Sequence, residues 1–180
     1  MSVYLLSCPY CGSRKIQKIW PQSGWDRCLD CKLYFKNPMP TQKNLFALYT
    51  NSWQHPERSR SETGGTDLRL ARIYAKLLAR SLGLQNFYGL RIMDYGAGRG
   101  DMLKALMELG AKVVGIEPYG LDFLRAQGFE AYEDISEVKG NFDGIVTIDV
   151  IEHLRNPWDI LKDLSNLRRC CIIPERKGDQ

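Results

Sequence analysis

The sequence predicts an α/β protein with a mostly parallel sheet, preceded by a small module with two cysteine pairs and by a helical linker. From residue 89 onward, short apolar runs alternate with helical segments, which is typical of a parallel sheet built from β–α–β units. Two Cys-x2-Cys pairs lie near the start of the chain, and an amphipathic helix separates the two regions. We therefore expect three parts, residues 1–40, 41–88 and 89–180.

The composition indicates a folded globular protein. Hydrophobic residues make up 44% and charged residues 26% of the 180 residues, which excludes a disordered chain. No apolar run approaches the roughly 18 residues that span a bilayer, and the start lacks the basic region of a signal peptide. These observations predict a cytoplasmic protein without a membrane span.

The cysteine pairs predict a structural zinc site in residues 1–40. Cys8 and Cys11 are separated from Cys28 and Cys31 by sixteen residues, a spacing typical of zinc-binding sequences. Two thiolates three positions apart on a tight turn converge on one ion, and two such turns complete a tetrahedron. Four thiolates leave no open coordination position, so we expect Zn²⁺ to fold the module without taking part in catalysis. The alternative to zinc is a redox dithiol, which a single Cys-x2-Cys pair would leave open.

Two helices are predicted between the cysteine module and the sheet. The first begins after Thr41 and ends near Thr50, and the second covers residues 67–82. Residues 51–66 are polar, and we interpret His55 within them as a solvated loop residue. The side of the first helix predicted to be apolar consists of Leu45, Leu48 and Tyr49. The apolar stripe of the second consists of Leu70, Ile73, Tyr74, Leu77 and Leu78.

The alternating region has four clear strands and a fifth that is weaker. The predicted strands cover residues 90–94, 112–117, 129–132, 142–148 and 170–173. The predicted helices cover residues 101–109, 121–127 and 157–167. Ligands of such sheets bind at the carboxyl ends of the strands, near the point where the strand order reverses. The residues that follow each strand are therefore the candidate site.

A glycine-rich turn follows the first of these strands. Alternating glycines allow the backbone to pass close to a ligand at a helix N-terminus. The dinucleotide-binding pattern G-x-G-x-x-G would require glycine at position 101, where this chain has aspartate. Asp94, at the start of the turn, would repel a pyrophosphate but attract an ammonium group. The alternative to a ligand-binding turn is an ordinary tight turn without a ligand. The residues expected to contact a ligand here are Asp94, Gly96, Ala97, Gly98 and Gly100.

Acidic residues also follow the other strands. Glu117 ends the second strand, 21 residues after Gly96, where a carboxylate can accept hydrogen bonds from both hydroxyls of a ribose. Asp134 follows the third strand and is suitably placed to accept from an adenine amino group, and Asp149 follows the fourth. A ligand with an ammonium group, a ribose and an adenine but no phosphate is S-adenosylmethionine (SAM).

Residues 89–167 resemble a class I SAM-dependent methyltransferase. The segments that carry the resemblance are DYGAGRGDML, VVGIEP and FDGIVTIDVIEHLRNPWDIL. The last resembles the small-molecule branch that includes the ubiquinone-biosynthesis O-methyltransferases. With the cysteine module and the NPMP link at residues 37–40, the chain resembles zinc-ribbon methyltransferases associated with sugar or surface-polysaccharide modification. The resemblance implies a Rossmann-like sheet, SAM as cofactor, O- or C-methylation of a small molecule, and Asp149 near the methionine part of SAM.

Glu152 and His153 are the candidate catalytic residues, because they follow the fourth strand, whose end faces SAM, the methyl donor. A hydroxyl acceptor needs a base that removes its proton. For His153, an orienting or packing role is the alternative. The resemblance also offers Glu152 and His153 as ligands of a divalent metal ion in some O-methyltransferases.

The chain departs from the family pattern after Leu167. A full sheet of the family has seven strands, whereas this sequence offers at most five, so we expect a truncated member with an exposed sheet edge. The adjacent Cys170 and Cys171 have no assigned role. A non-catalytic fragment is one alternative function. An RNA methyltransferase is another, because residues 1–90 hold 13 Lys/Arg against 5 Asp/Glu and several aromatic residues that could stack on bases.

Overall fold

The structure, a computed structural model, describes residues 2–20, 22, 24–54 and 67–167. The predictions for His55, for the strand at 170–173 and for the cysteines at 170 and 171 lie outside these residues. The first part of the chain forms five short strands. They are β1 (Ser2–Val3), β2 (Ile16–Trp20), β3 (Trp25–Cys28), β4 (Tyr34–Lys36) and β5 (Met39–Pro40).

These strands form two small antiparallel sheets. β2, β3 and β4 pair in that order, and β1 pairs with β5. Asn37 joins the two sheets: its side-chain amide donates to the Leu5 carbonyl at 3.0 Å and to the buried Asp26 carboxylate at 2.7 Å. The small core of this cysteine module consists of Cys8, Cys28 and Phe35, with Leu5, Tyr10, Ile16 and Cys31 packed against it.

Two helices follow, as predicted. Helix α1 (Gln42–Gln54) extends beyond the expected end near Thr50. Helix α2 (Leu68–Ser81) begins at the N-cap Asp67, whose carboxylate accepts from the Leu70 N–H at 2.8 Å.

The apolar stripe predicted for α2 is partly wrong. Leu78 is buried, but Ile73 and Leu77 are 45% and 53% exposed. The face that packs into the core combines Leu78 with three alanines, whose small side chains allow a neighbouring helix to approach closely. Its buried residues are Ala71, Ala75, Leu78 and Ala79.

The remaining elements form a parallel α/β unit. The strands are β6 (Arg91–Tyr95), β7 (Lys112–Ile116), β8 (Ala131–Tyr132) and β9 (Gly144–Val146). The helices are α3 (Asp101–Glu108), α4 (Leu121–Ala126) and α5 (Pro157–Asn166), with 3₁₀ turns at Ile135–Glu137 and Ile151–His153. The predicted order of strands and helices is confirmed through α5. β6 has the predicted length but is shifted by one residue, and β7, β8 and β9 are shorter than predicted by one, two and four residues.

The sheet has the strand order β8–β7–β6–β9, and all its neighbouring pairs are parallel. The chain runs outward from β6 to β8 and then returns to place β9 on the other side of β6. The strand order therefore reverses between β6 and β9, and a ligand crevice is expected at the carboxyl ends of these strands. The prediction of a Rossmann-like sheet after a cysteine-bearing module is confirmed.

Both faces of the sheet are covered, as parallel sheets require. Ile92 and Val146 pack with buried residues of α2 and α3 on one face, and Met93 and Ile145 pack with Leu164 of α5 on the other. The alternation within β6 assigns neighbouring residues to opposite faces. Among the described residues, no helix combines the length and the apolarity needed to cross a membrane.

Candidate functional site

The glycine-rich turn joins β6 to α3 at the edge where the strand order reverses. Gly96, Gly98 and Gly100 have φ values of 82°, 51° and 81°, which L side chains rarely adopt. The N–H groups of Gly96 and Ala97 donate to the Ile116 carbonyl at 2.9 and 3.0 Å, and this fixes the turn against the end of β7. A Cβ atom at position 96 would collide with the Val150 side chain. The turn therefore requires glycine at this position for two separate reasons.

Two buried carboxylates meet at this turn. Asp94 and Glu117 are 3% and 6% exposed and lie at the carboxyl ends of the adjacent strands β6 and β7. One oxygen of Glu117 accepts from the Gly98 N–H at 2.9 Å, and the other accepts from the Tyr119 N–H at 3.0 Å. Glu117 thus ties the glycine turn to the loop that follows β7.

Burial sets the protonation of this pair. Desolvation, together with the nearby charge of Glu117, raises the pKa of Asp94 to about 7. Desolvation also raises the pKa of Glu117, although N–H groups of Tyr119, Gly98 and Gly120 oppose the change. Two buried acids at one site are chemically suited to bind a positively charged ligand.

The two further acids predicted for the site lie at the ends of β8 and β9. Asp134 is exposed and caps the first 3₁₀ turn, and its carboxylate accepts from the Ser136 N–H at 2.8 Å. Hydrogen bonds from Ser136 lower the pKa of Asp134 and keep it ionised. Asp149 is half-buried with a φ of 54°, an uncommon conformation for a residue other than glycine and one that clusters at functional sites.

An open cleft of about 520 Å³ lies beside these acids. One wall is the loop that follows Glu117, and the opposite wall is helix α1. Glu133, the neighbour of Asp134, also lines it. The lining residues are Thr50, Trp53, Pro118, Tyr119, Gly120, Leu121, Asp122, Phe123 and Glu133.

His153 lies in the second 3₁₀ turn, and its side chain is exposed. Its ring meets Tyr49 of α1 edge to face, with the ring centroids 6.1 Å apart. The structure describes only the backbone of Glu152 in the same turn. The two candidate catalytic residues therefore follow β9, where the sequence predicts them.

Helix α1 brings in residues that sequence reasoning missed. Tyr49 contacts both Tyr119 and His153, and Trp53 contacts Phe123. The aromatic residues of α1 recur at positions 46, 49 and 53, a helical spacing that could have indicated this face. The predicted face of Leu45, Leu48 and Tyr49 is partly wrong, because Leu48 is 60% exposed.

Thr147, directly after β9, was also missed. It is 3% exposed, and its hydroxyl has no hydrogen-bond partner within the part of the chain that the structure describes. A buried hydroxyl without a partner is unfavourable and uncommon. No local sequence signal distinguishes this threonine from an ordinary strand residue.

The four predicted metal ligands form one cluster, with all their sulfur atoms within 4.8 Å of one another. The sulfurs of Cys8 and Cys31 are 3.6 Å apart, as are those of Cys11 and Cys28. Tetrahedral Zn²⁺ holds thiolates at about 2.3 Å, which places neighbouring sulfurs about 3.8 Å apart. The donor set therefore fits a tetrahedral ion such as Zn²⁺.

Backbone geometry prepares the cysteine cluster. Gly12 and Lys32 each follow the second cysteine of a pair, and both have positive φ values, 73° and 67°. Burial raises the pKa of Cys28, but hydrogen bonds from Cys31 and Asp30 N–H groups outweigh it and lower the pKa to about 6. At Cys31 the Leu33 N–H favours the thiolate, but desolvation and the three neighbouring cysteines outweigh it and raise the pKa to about 12. A bound cation would relieve the repulsion between the thiolates.

Comparison with known proteins identifies the α/β unit. The methyltransferase domain family matches residues 66–170. The chain is 32% identical over 94 residues to the ubiquinone biosynthesis O-methyltransferase of Colwellia psychrerythraea, covering 45% of this chain and 38% of that protein. It is 28% identical over 106 residues to the human mitochondrial ubiquinone biosynthesis O-methyltransferase, covering 50% and 27%. The chain thus spans well under half the length of either relative.

Solved structures show the same fold. The magnesium protoporphyrin IX methyltransferase of Synechocystis, solved with bound SAM, has a TM-score of 0.56 and 20% identity, over 78% of this chain and 80% of that one. The plantazolicin methyltransferase, solved with S-adenosylhomocysteine, has a TM-score of 0.50 and 18% identity, over 73% and 60%. The segment that the family model matches, residues 66–170, includes β6 to β9 with their glycine turn and buried acids. By this match, the chain belongs to the methyltransferase domain family.

Proposed function

We propose that this protein is a SAM-dependent methyltransferase that methylates a small molecule at oxygen or carbon. The observation that carries the proposal is the meeting of buried Asp94 and Glu117 at a glycine turn within the segment that matches the family. Relatives named as ubiquinone biosynthesis O-methyltransferases support a small-molecule acceptor and give no support to RNA. A sugar or surface-polysaccharide precursor is the acceptor class that the cysteine module suggests.

The donor's cationic and polar groups match the acids of the site. Asp94 would pair with the ammonium group, and the backbone of residues 96–100 would lie along the methionine part, near Asp149. Glu117 would accept from the ribose hydroxyls with its two oxygens, each of which also accepts from a backbone N–H, that of Gly98 or that of Tyr119. Asp134 would accept a hydrogen bond from the adenine amino group beside the cleft.

SAM supplies a methyl group that its sulfonium has already activated. The chain's contribution is therefore mainly alignment of the two reactants. For a hydroxyl acceptor, His153 is the proposed base that removes the proton, since its ring is exposed beside Tyr49 at the same edge of the sheet. Glu152 is the second candidate for this role or for a divalent metal ligand.

The cysteine cluster is proposed to hold structural Zn²⁺. Its four thiols satisfy a tetrahedral ion and leave no position for a substrate. Zinc would then stabilise residues 1–40, whose core is too small to be stable without such support.

Calorimetry with SAM on the wild-type chain and on Glu117→Ala tests the donor site. Two hydrogen bonds to a charged acceptor are lost, each worth about 1.5–3 kcal/mol, so we expect SAM to bind at least about tenfold more weakly. Glu117→Gln, which keeps the shape of the side chain, should show a smaller loss. Glu108→Ala, which removes an exposed carboxylate paired with Arg72, is the matched control and should bind like the wild type.

Equal affinities of the wild type and Glu117→Ala would contradict the role of Glu117. Absence of wild-type binding at millimolar SAM would contradict the donor site as a whole.

A further inference from the structure

Helix α1 lies outside residues 66–170, the segment that matches the family, yet it lines the cleft together with the loop that follows Glu117. We propose that Trp53 of this helix is a donor-positioning residue, which holds Arg99 and through it the glycine turn in the orientation that SAM requires. This inference rests on the proposed function, because it concerns the same donor site.

Arg99 is the residue of the turn whose side chain reaches helix α1. It lies between Gly98 and Gly100, both with positive φ, so the chain has little intrinsic stiffness at this point. Gly98 has a firm anchor in the Glu117 carboxylate, and the Gly100 N–H donates to the Ala97 carbonyl at 2.9 Å. The contact of the Arg99 carbonyl with the Gln127 side chain is long, at 3.5 Å.

The Arg99 side chain contacts two aromatic rings outside the turn. Its guanidinium carbon lies 4.7 Å from the centroid of the Trp53 ring and 5.4 Å from that of Phe123. The two rings also contact each other, with centroids 5.6 Å apart. Contacts of a guanidinium with an aromatic ring are worth about 0.5 to 2 kcal/mol, depending on exposure. Arg99, Trp53 and Phe123 therefore form one stack that joins the turn, α1 and α4.

The loop after β7 is shaped to receive Trp53. A Cβ atom at Gly120 would collide with the Trp53 ring, so glycine is required there for the ring to lie against the backbone. Gly120 and Trp53 both line the cleft. The Trp53 ring is thus in contact with the loop that Glu117 holds and, through Arg99, with the glycine turn.

The consequence is that donor affinity should depend on α1, an element contributed by the linker after the cysteine module. Removal of the Trp53 ring would release Arg99 without removing any group of the glycine turn itself. Trp53 then acts through Arg99, and the two residues should behave as one unit in binding measurements.

Calorimetry with SAM tests this dependence in a double-mutant cycle of Trp53→Ala and Arg99→Ala. We expect each single variant to bind SAM about two- to thirtyfold more weakly than the wild type, and the double variant to lose little more than either. Leu48→Ala is the matched control, because Leu48 lies on the same helix and is 60% exposed, and it should bind like the wild type.

Trp53→Phe gives a second readout that a purely structural role would not change. This variant retains a ring beside Arg99 and should bind SAM nearly as well as the wild type. Because Trp53 lines the cleft, SAM should change the tryptophan fluorescence of the wild type but not that of Trp53→Phe. This test also stands if Trp53→Ala fails to fold.

Three results would overturn the proposal. They are wild-type affinity for SAM in Trp53→Ala, fully additive losses of affinity in the double variant, or a fluorescence change on SAM binding that is as large in Trp53→Phe as in the wild type. Failure of the wild type to bind SAM would instead contradict the proposed function.

Discussion

Asp94 is an acid that burial keeps partly protonated near neutral pH. Its pKa is about 7 in the folded protein, whereas aspartate in an unfolded chain titrates near 3.9. The folded state therefore binds more protons than the unfolded state between about pH 4 and pH 7. A cationic ligand beside the carboxyl would reverse this preference, because it favours the ionised form.

This difference predicts how stability depends on pH in the free protein. Since the folded state holds the extra proton, the contribution of Asp94 to the free energy of unfolding falls as pH rises from 4 to 7. The slope for one full proton is about 1.4 kcal/mol per pH unit. Denaturant unfolding at pH 5 and pH 7 should show this loss in the wild type and a smaller one in Asp94→Asn. A pH dependence that Asp94→Asn does not change would show that burial does not shift this group.

At the scale of elements, the β6–α3 turn combines backbone conformation with close packing. Gly96 and Gly128 have nearly the same φ, 82° and 84°, but only Gly96 faces a neighbour that an added Cβ would strike. The two positions therefore separate the cost of a left-handed backbone from the cost of filling the site.

Gly96→Ala should lose both stability and SAM binding, whereas Gly128→Ala should lose stability alone. The left-handed backbone costs about 1–2 kcal/mol in either variant, and the collision with Val150 acts only at position 96. Thermal unfolding and calorimetry with SAM measure the two effects. The interpretation of the turn fails if Gly96→Ala binds SAM as tightly as Gly128→Ala.

At the scale of the whole molecule, the cysteine module and the α/β unit have separate hydrophobic cores. Among the residues that the structure describes, the cluster around Cys8, Cys28 and Phe35 shares no buried residue with the clusters of the sheet. Loss of one of the four thiols should therefore disrupt the metal site and leave the donor site intact.

Cys28→Ser should release the metal and unfold residues 1–40 while the sheet remains folded. The wild type should carry about one zinc ion per chain, which elemental analysis measures, and limited proteolysis should cut the variant within the module. Cys170→Ser removes a thiol that is not one of the four proposed ligands and should retain the zinc. Retention of zinc by Cys28→Ser, or collapse of the sheet in this variant, would contradict the separation of the two units.

The sequence by itself determined the features that are encoded locally. Alternating apolar runs, helix ends and the two cysteine spacings predicted the parallel sheet, its order of elements and the cysteine cluster, because each depends on residues close together in the chain. Asp94 and Glu117 could be placed at the sheet edge because parallel strands end on the same side.

Only the tertiary structure decided which elements face each other. Helical periodicity identifies an apolar face, but which face is buried depends on the shape of its neighbour: the small alanines of α2 pack inward, while Ile73 and Leu77 remain exposed. The position of α1 over the cleft and the stack of Trp53 on Arg99 join residues 46 positions apart in the chain. Contacts at such distances arise from packing of the whole chain, which no local pattern encodes.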